Sequence, residues 1–227
     1  MIKYYSYFVF TLSVLAIATA CQNKNTPSTD PKENRYYRDY MEIYESWGKV
    51  PTDSTQQKLA AYLQEFPENA EAQMLAGNIF YSSADYEKAI AHYKTAIHLQ
   101  PQRAIFYSAL GTVYNVQNEI DSAEKYLMKA IALNDSSANT FLNASFVYQK
   151  KNEKEKSFAF ADSAFAKGNS SPIICSGLSF VFYKWNEQEK SQERFVQAVS
   201  LGLKDTSAFK EVLNGKIKLE DYYRTNY

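Results

Sequence analysis

The sequence predicts an all-α fold: an α-solenoid of helical hairpins in four 34-residue repeats, flanked by capping helices. Three observations predict it. The first is recurrence at a step of 34. Gly77 leads to Gly111, Ser145 and Ser179, all small. Phe80 leads to Tyr114, Tyr148 and Phe182, all aromatic. Ala89 leads to Ala123, Ser157 and Ser191, and Ala96 to Ala130, Ala164 and Ala198. The second is that apolar residues in the first period fall at helical spacing in two runs, Met74 to Tyr81 and Tyr86 to Leu99. The third is the break between those runs, Ser82-Ser83-Ala84-Asp85, which is short and polar as a helical hairpin requires. The units span 70–103, 104–137, 138–171 and 172–205 without insertion. Ala84, Asn118, Asn152 and Asn186 occupy the hairpin position, where the chain leaves a helix with positive φ. Asn tolerates that geometry best after Gly. The small residues Gly77 and Ala89 predict closely packed helices within the hairpin.

The flanking elements follow in order. Lys3 and the apolar run Phe8 to Ala18 have the form of a signal peptide over residues 1–20, too short to span a bilayer. Ala18-Thr19-Ala20 is a small-residue cleavage site directly before Cys21. Residues 21–34 contain two prolines and no apolar residue able to pack. This composition predicts a disordered tether. Residues 35–69 read as a degenerate helical pair. Tyr37, Tyr40, Met41, Tyr44 and Trp47 form a helical stripe assigned to core packing. The loop Gly48 to Asp53 breaks the pair, with Asp53 as the expected N-cap. Leu59, Tyr62, Leu63 and Phe66 face one side of the second helix. Stepping back 34 from Ala76 and Gly77 lands on Glu42 and Ile43, so the first helix leaves the register, as a solenoid's terminal pair does. Thr206 to Leu213 is expected to be a capping helix that ends at Gly215, within a C-terminal segment 206–227.

The stretch from Ala70 to Pro101 closely resembles a tetratricopeptide repeat (TPR), through Ala76-Gly77, Phe80, Ala89, Tyr93, Ala96 and Pro101. The start of the chain resembles a bacterial lipoprotein, in which the Cys after the cut carries the lipid. Cys21 would be that residue, although Ala18 stands where lipoproteins usually have Leu. Cleavage by ordinary signal peptidase is the competing reading. The lipoprotein resemblance implies anchoring in the outer membrane, because Gln22 replaces the Asp that favours the inner membrane. The periplasmic side is expected, because no acidic residue precedes Asp30. Surface lipoproteins of the Bacteroidota, which the chain otherwise resembles, carry such residues early.

The chain has 227 residues, 45% of them hydrophobic, and 25 basic residues balance 25 acidic ones. Such neutrality argues against nucleic acid as a partner. The only histidines, His92 and His98, lie six apart and so on different helix faces. They do not make a metal pair, and no metal or cofactor is expected. Cys175 has no His near it and reads as a small core residue. No phosphate-binding glycine loop or nucleophile elbow is present, and the chain is expected not to be an enzyme. The TPR resemblance implies a groove lined by first helices. Its candidate peptide-binding residues here are Met74, Asn78, Tyr81, Thr112, Asn115, Leu142, Phe146, Gln149, Phe180 and Tyr183. Met74 stands where a carboxylate clamp would have Lys. The implied function is an envelope-anchored adaptor or scaffold that binds a protein or peptide partner. Glycan binding through groove aromatics is the alternative.

Overall fold

A computed structural model describes residues 31–47, 52–203, 211 and 214. Cys21, the signal peptide, the Gly48 to Asp53 loop up to Pro51, most of the C-terminal capping helix and Gly215 lie outside the described residues. The described part is all helical: α1 (Pro31–Ser46), α2 (Thr52–Glu65), α3 (Ala70–Ser82), α4 (Tyr86–Leu99), α5 (Ala104–Val116), α6 (Ile120–Ala132), α7 (Ala138–Lys150), α8 (Lys154–Gly168), α9 (Pro172–Lys184) and α10 (Gln188–Ser200). It divides into two compact units, α1–α4 and α5–α10. Within each unit the tightest pairs are α3 with α4, α5 with α6, α7 with α8, and α9 with α10. The first helices α3, α5, α7 and α9 each begin 34 residues after the one before, and so do the second helices α2, α4, α6, α8 and α10. The period therefore reaches one element further back than Gly77 and Phe80 reveal.

The hairpin turns repeat one chemistry. Ala84, Asn118, Asn152 and Asn186 all take positive φ, from 58° to 62°. Behind each left-handed residue the same two hydrogen bonds close the helix. Asp85 N–H donates to Phe80 O (2.9 Å) and Ala84 N–H to Tyr81 O (3.0 Å), with equivalent pairs at Glu119, Glu153 and Glu187. These bonds satisfy carbonyls that the helix end would leave open. The next residue is always acidic: Asp85, Glu119, Glu153 or Glu187. It sits at the N-cap of the second helix, where a negative charge meets the positive end of the dipole. Among these four, Asp85 also accepts a backbone N–H, from Lys88.

Within each hairpin the small columns set the helix separation. A Cβ on Gly77 would lie 2.5 Å from the Tyr93 ring, and one on Gly111 would lie 2.8 Å from Leu127. Ala89 and Ala123 are fully buried opposite them. In the third and fourth hairpins both sides of this contact become Ser, and the hydroxyls hydrogen-bond reciprocally. Ser145 Oγ donates to Ser157 O (2.9 Å) and Ser157 Oγ to Ser145 O (3.1 Å). Ser179 and Ser191 do the same at 2.6 and 2.9 Å. Each buried hydroxyl thus has a partner. A stacked ring pair recurs alongside: Phe80 on His92, Tyr114 on Tyr126 and Tyr148 on Phe160, with centroids 5.2–5.5 Å apart. Lysines cover the first-helix rings, Lys88 over Phe80, Lys156 over Tyr148 and Lys190 over Phe182.

The N-terminal pair departs from the sequence expectation at three points. Helix α1 begins at Pro31, inside the stretch read as a tether. Proline is well suited to a first turn, where its missing N–H has no helical partner to lose. Asp53 lies in the first turn of α2 rather than at its N-cap, and Tyr37 is exposed while Tyr40, Tyr44 and Trp47 are buried. Thr52 to Glu65 keep the second-helix register, but Tyr62 stands where the other second helices have Ala96, Ala130, Ala164 and Ala198. A tyrosine there fills more space than alanine, and α1 lies off the 34-residue step. The ring is used instead for bonding: Tyr62 O–H donates to Tyr36 O (2.8 Å), and Asn69 Nδ2 donates to Tyr62 Oη (2.7 Å). Asn69 Oδ1 also caps α3 by accepting from Ala72 N–H (3.0 Å). Tyr40, Ile43, Tyr44, Trp47, Leu59 and Phe66 join Leu75 and Ile79 of α3 in one core.

Candidate functional site

The candidate groove residues all lie on first helices, as the 34-residue register requires. In the first unit Met74 and Asn78 are buried and Tyr81 is half-buried. Asn78 Oδ1 accepts the hydroxyl of the fully buried Tyr93 at 2.6 Å, so half of its amide serves the interior of the hairpin. Tyr81 packs at a tilt against Tyr86, their centroids 5.9 Å apart. Beside them, Gln73 Nε2 donates to Pro67 O (3.0 Å), which turns its Oε1 towards His92 Nδ1 at 2.8 Å. The carbonyl can only accept, so His92 carries its proton on Nδ1. Burial of the imidazole lowers its pKa.

In the second unit the candidates separate into two sets. Leu142, Phe146 and Phe180 are apolar and buried. Phe146 and Leu142 pack with Ile174, Leu178, Val181 and Phe182 of α9, so these side chains join α7 to α9. Gln149 is buried too, its Nε2 donating to Val181 O. Tyr183 is half-buried. The other set is polar and runs along adjoining α5 and α7. Thr140 Oγ1 donates to Asp135 Oδ2 (2.7 Å), which commits its proton, so Ser108 Oγ is the donor in the 2.6 Å Ser108–Thr140 bond. Thr112 Oγ1 donates to Ser108 O (2.9 Å) and accepts from Asn143 Nδ2 (2.8 Å). Asn115 presents its backbone and side-chain oxygens to Lys150 Nζ at 2.6 and 3.0 Å. The sequence reading included Thr112 and Asn115 but not Asn143 or Lys150, which fall at positions the family groove does not use. Their signal lay in polar residues placed one helical turn from the candidates on the neighbouring helix.

Outside this face, α6 is fastened to α7 by ions. Glu124 Oε2 accepts from Lys151 Nζ (2.5 Å) and Oε1 from Tyr148 O–H (2.7 Å). Lys151 foremost, then Tyr148, holds the Glu124 carboxyl below the usual glutamate range. A pKa depressed in the folded state stabilises fully above the unfolded value, and that contribution disappears as pH falls through the folded one. Glu124 is partly exposed, so the effect is small. Glu124→Gln is expected to cost about 0.5–1 kcal/mol at pH 7. In urea titrations this difference should begin to shrink near about pH 4, the ordinary glutamate value, and vanish at lower pH, once the carboxylate protonates in the folded chain. A cost unchanged at pH values below about 3 would show that the carboxylate charge is not what fastens α7.

Cys175 is buried with its Sγ 3.4 Å from Asn169 O, and burial raises its thiol pKa. The described residues contain no cluster of three or more His, Cys, Asp and Glu side chains able to hold a metal ion. No helix among them is long and apolar enough to cross a membrane.

Two family models match, one described as TPR repeat over residues 77–118 and one as tetratricopeptide repeat over 104–137. The chain is built of tetratricopeptide repeats. No curated protein sequence matches it. Among solved structures it is similar to a thermophilic TPR protein of Thermus thermophilus, at 18% identity and a TM-score of 0.67, covering 79% of this chain and 97% of that one. It is also similar to Pseudomonas aeruginosa PilF, at 13% identity and a TM-score of 0.67 with 86% and 90% covered. YrrB, a TPR protein with an unusual peptide-binding site, is 17% identical with a TM-score of 0.52 and 74% and 91% covered. These likenesses concern the TPR fold. The turns, small columns and ring pairs above are what carry that fold in this chain.

Proposed function

We propose that this TPR protein is a non-enzymatic scaffold of the bacterial envelope. A lipid on Cys21 tethers it to the periplasmic face of the outer membrane, and it holds an extended segment of a protein partner along α5 and α7. The observation that carries the reading is the polar ladder Ser108–Thr140, Thr112–Asn143 and Asn115–Lys150. Amides and hydroxyls fixed in place by one another suit the backbone groups of an extended peptide, because little ordering remains to be done on binding. The anchor rests on the apolar run, the Ala-x-Ala site and Cys21. Glycan capture would need accessible ring faces, and Phe146 and Phe180 are buried.

The test places a photo-crosslinking amino acid in living cells at Asn139, half-buried on α7, and separately at Lys125, exposed on α6. Asn139 is expected to give one discrete protein adduct in the membrane fraction and Lys125 none. Cys21→Ser should move the chain to the soluble fraction. Equal adduct patterns from both sites would remove the α5/α7 face as the docking surface. A Cys21→Ser chain that stays with the membrane would remove the lipid anchor.

A further inference from the structure

The lysine at the end of the ladder lacks a counter-ion among the described residues. Lys150 Nζ bonds to the neutral oxygens of Asn115, at 2.6 and 3.0 Å, and no described carboxylate lies within ion-pair distance. Asn115 is in the last turn of α5, so the negative end of that helix dipole draws the amine in. A helix end carries only about half an elementary charge, so the dipole positions the ammonium without neutralising it. Two of its three N–H groups are used, which leaves one to donate. The residue as a whole is exposed, yet packing around the amine lowers its pKa, which is the mark of a cation short of compensation.

A second lysine holds the matching place on the next first helix. Lys184 is 34 residues on, at the same place in the last turn of α9, and α9 packs on α7. It is exposed and makes no ion pair among the described residues. The contrast with nearby lysines is consistent: Lys151, Lys154, Lys156 and Lys190 all have acidic partners within 4 Å. Lys150 and Lys184 end their first helices without an acidic partner among the described residues, whereas these four lysines at and after the hairpin turns have one.

We propose that Lys150 and Lys184 form an anion-accepting edge of the first-helix face, and that it takes side-chain carboxylates of an acidic peptide segment. This rests on the scaffold reading above and names the chemistry of its partner. A carboxylate at Lys150 gains a charge-assisted hydrogen bond in a partly dry site, and the segment can continue along the amides of the ladder. A second carboxylate two to three residues along an extended strand spans the separation of neighbouring helices, about 8–10 Å.

Fluorescence anisotropy with the full chain tests this, using labelled octaglutamate and octaglutamine peptides at low salt. Octaglutamate is expected to bind saturably and octaglutamine not to bind. Lys150→Gln should weaken binding about tenfold and Lys184→Gln less, while Lys150→Arg keeps it and Lys94→Gln, an exposed lysine on α4, leaves it unchanged. Circular dichroism shows whether each variant is folded, and a loss in Lys150→Gln that Lys150→Arg does not restore would assign Lys150 to the helix end alone. Equal losses from Lys94→Gln and Lys150→Gln would overturn the proposal as non-specific attraction. So would Lys150-dependent binding to vesicles of anionic phospholipid without binding of octaglutamate. A Lys150→Gln chain that still gives the Asn139 adduct in cells would leave the scaffold standing and remove the acidic segment. A parent chain that gives neither the Asn139 adduct nor octaglutamate binding would remove the two readings together.

Discussion

Phe146→Ala is expected to destabilise the protein by about 3–5 kcal/mol, the usual cost of emptying a buried phenylalanine site. Its ring lies 7% exposed in a core shared by Leu142, Ile174, Leu178, Val181 and Phe182. Ile174 and Leu178 are held on their other side by the same helix packing, so the cavity cannot collapse cheaply. Phe180, with no exposure at all, should behave alike. Val196→Ala, at 56% exposure on α10, should change stability by less than about 0.5 kcal/mol. Urea unfolding of the three variants decides this. A Phe146→Ala chain as stable as the parent would return that ring to the ligand-facing surface. A binding defect in an aromatic-to-alanine variant of this protein therefore reads as lost packing unless its folding is shown first.

That case also shows what the sequence could and could not reveal. The hairpin was legible because its constraints are local and recur. A left-handed residue at 84, 118, 152 and 186, a small column at 77 and 89, and a ring at 80 each leave a mark every 34 residues. The face of a first helix is not local in that sense. Position nine of a unit holds Asn78, Thr112, Phe146 and Phe180. Whether each is displayed or covered depends on what the next helix brings against it. Phe146 meets α9, whereas Thr112 meets Asn143. Lys150 was hidden for the same reason. Its bond reaches Asn115 of the preceding repeat, 35 residues away, and its own column, Ser82, Val116, Lys150 and Lys184, gives no sign of that pairing. The start of the N-terminal pair was obscured because α1 begins off the 34-residue step while α2 stays on it, and Tyr62 replaces the Ala of the other second helices.

Gly77→Val is expected to cost about 3 kcal/mol, at the upper end of overpacking effects. Glycine inside a helix is ordinarily a weakness, and replacing it by alanine on an open face stabilises by about 1 kcal/mol. The site here is closed. A Cβ would sit 2.5, 2.6 and 2.9 Å from three carbons of the Tyr93 ring. That ring cannot swing aside, because it is fully buried and its hydroxyl is held to Asn78 Oδ1 at 2.6 Å. A side chain at 77 must therefore push α4 away from α3 and open the buried contacts of Ala89 and Ala96 along the same seam. Truncating the ring tests that account. Tyr93→Ala alone is destabilising, but it vacates the space a new Cβ needs. In the Gly77→Ala, Tyr93→Ala double variant the two costs should fall short of additivity by at least about 1 kcal/mol. Equilibrium unfolding of the four proteins of the cycle gives that difference directly. Strict additivity would mean that the glycine is required for its backbone and not for the ring it faces.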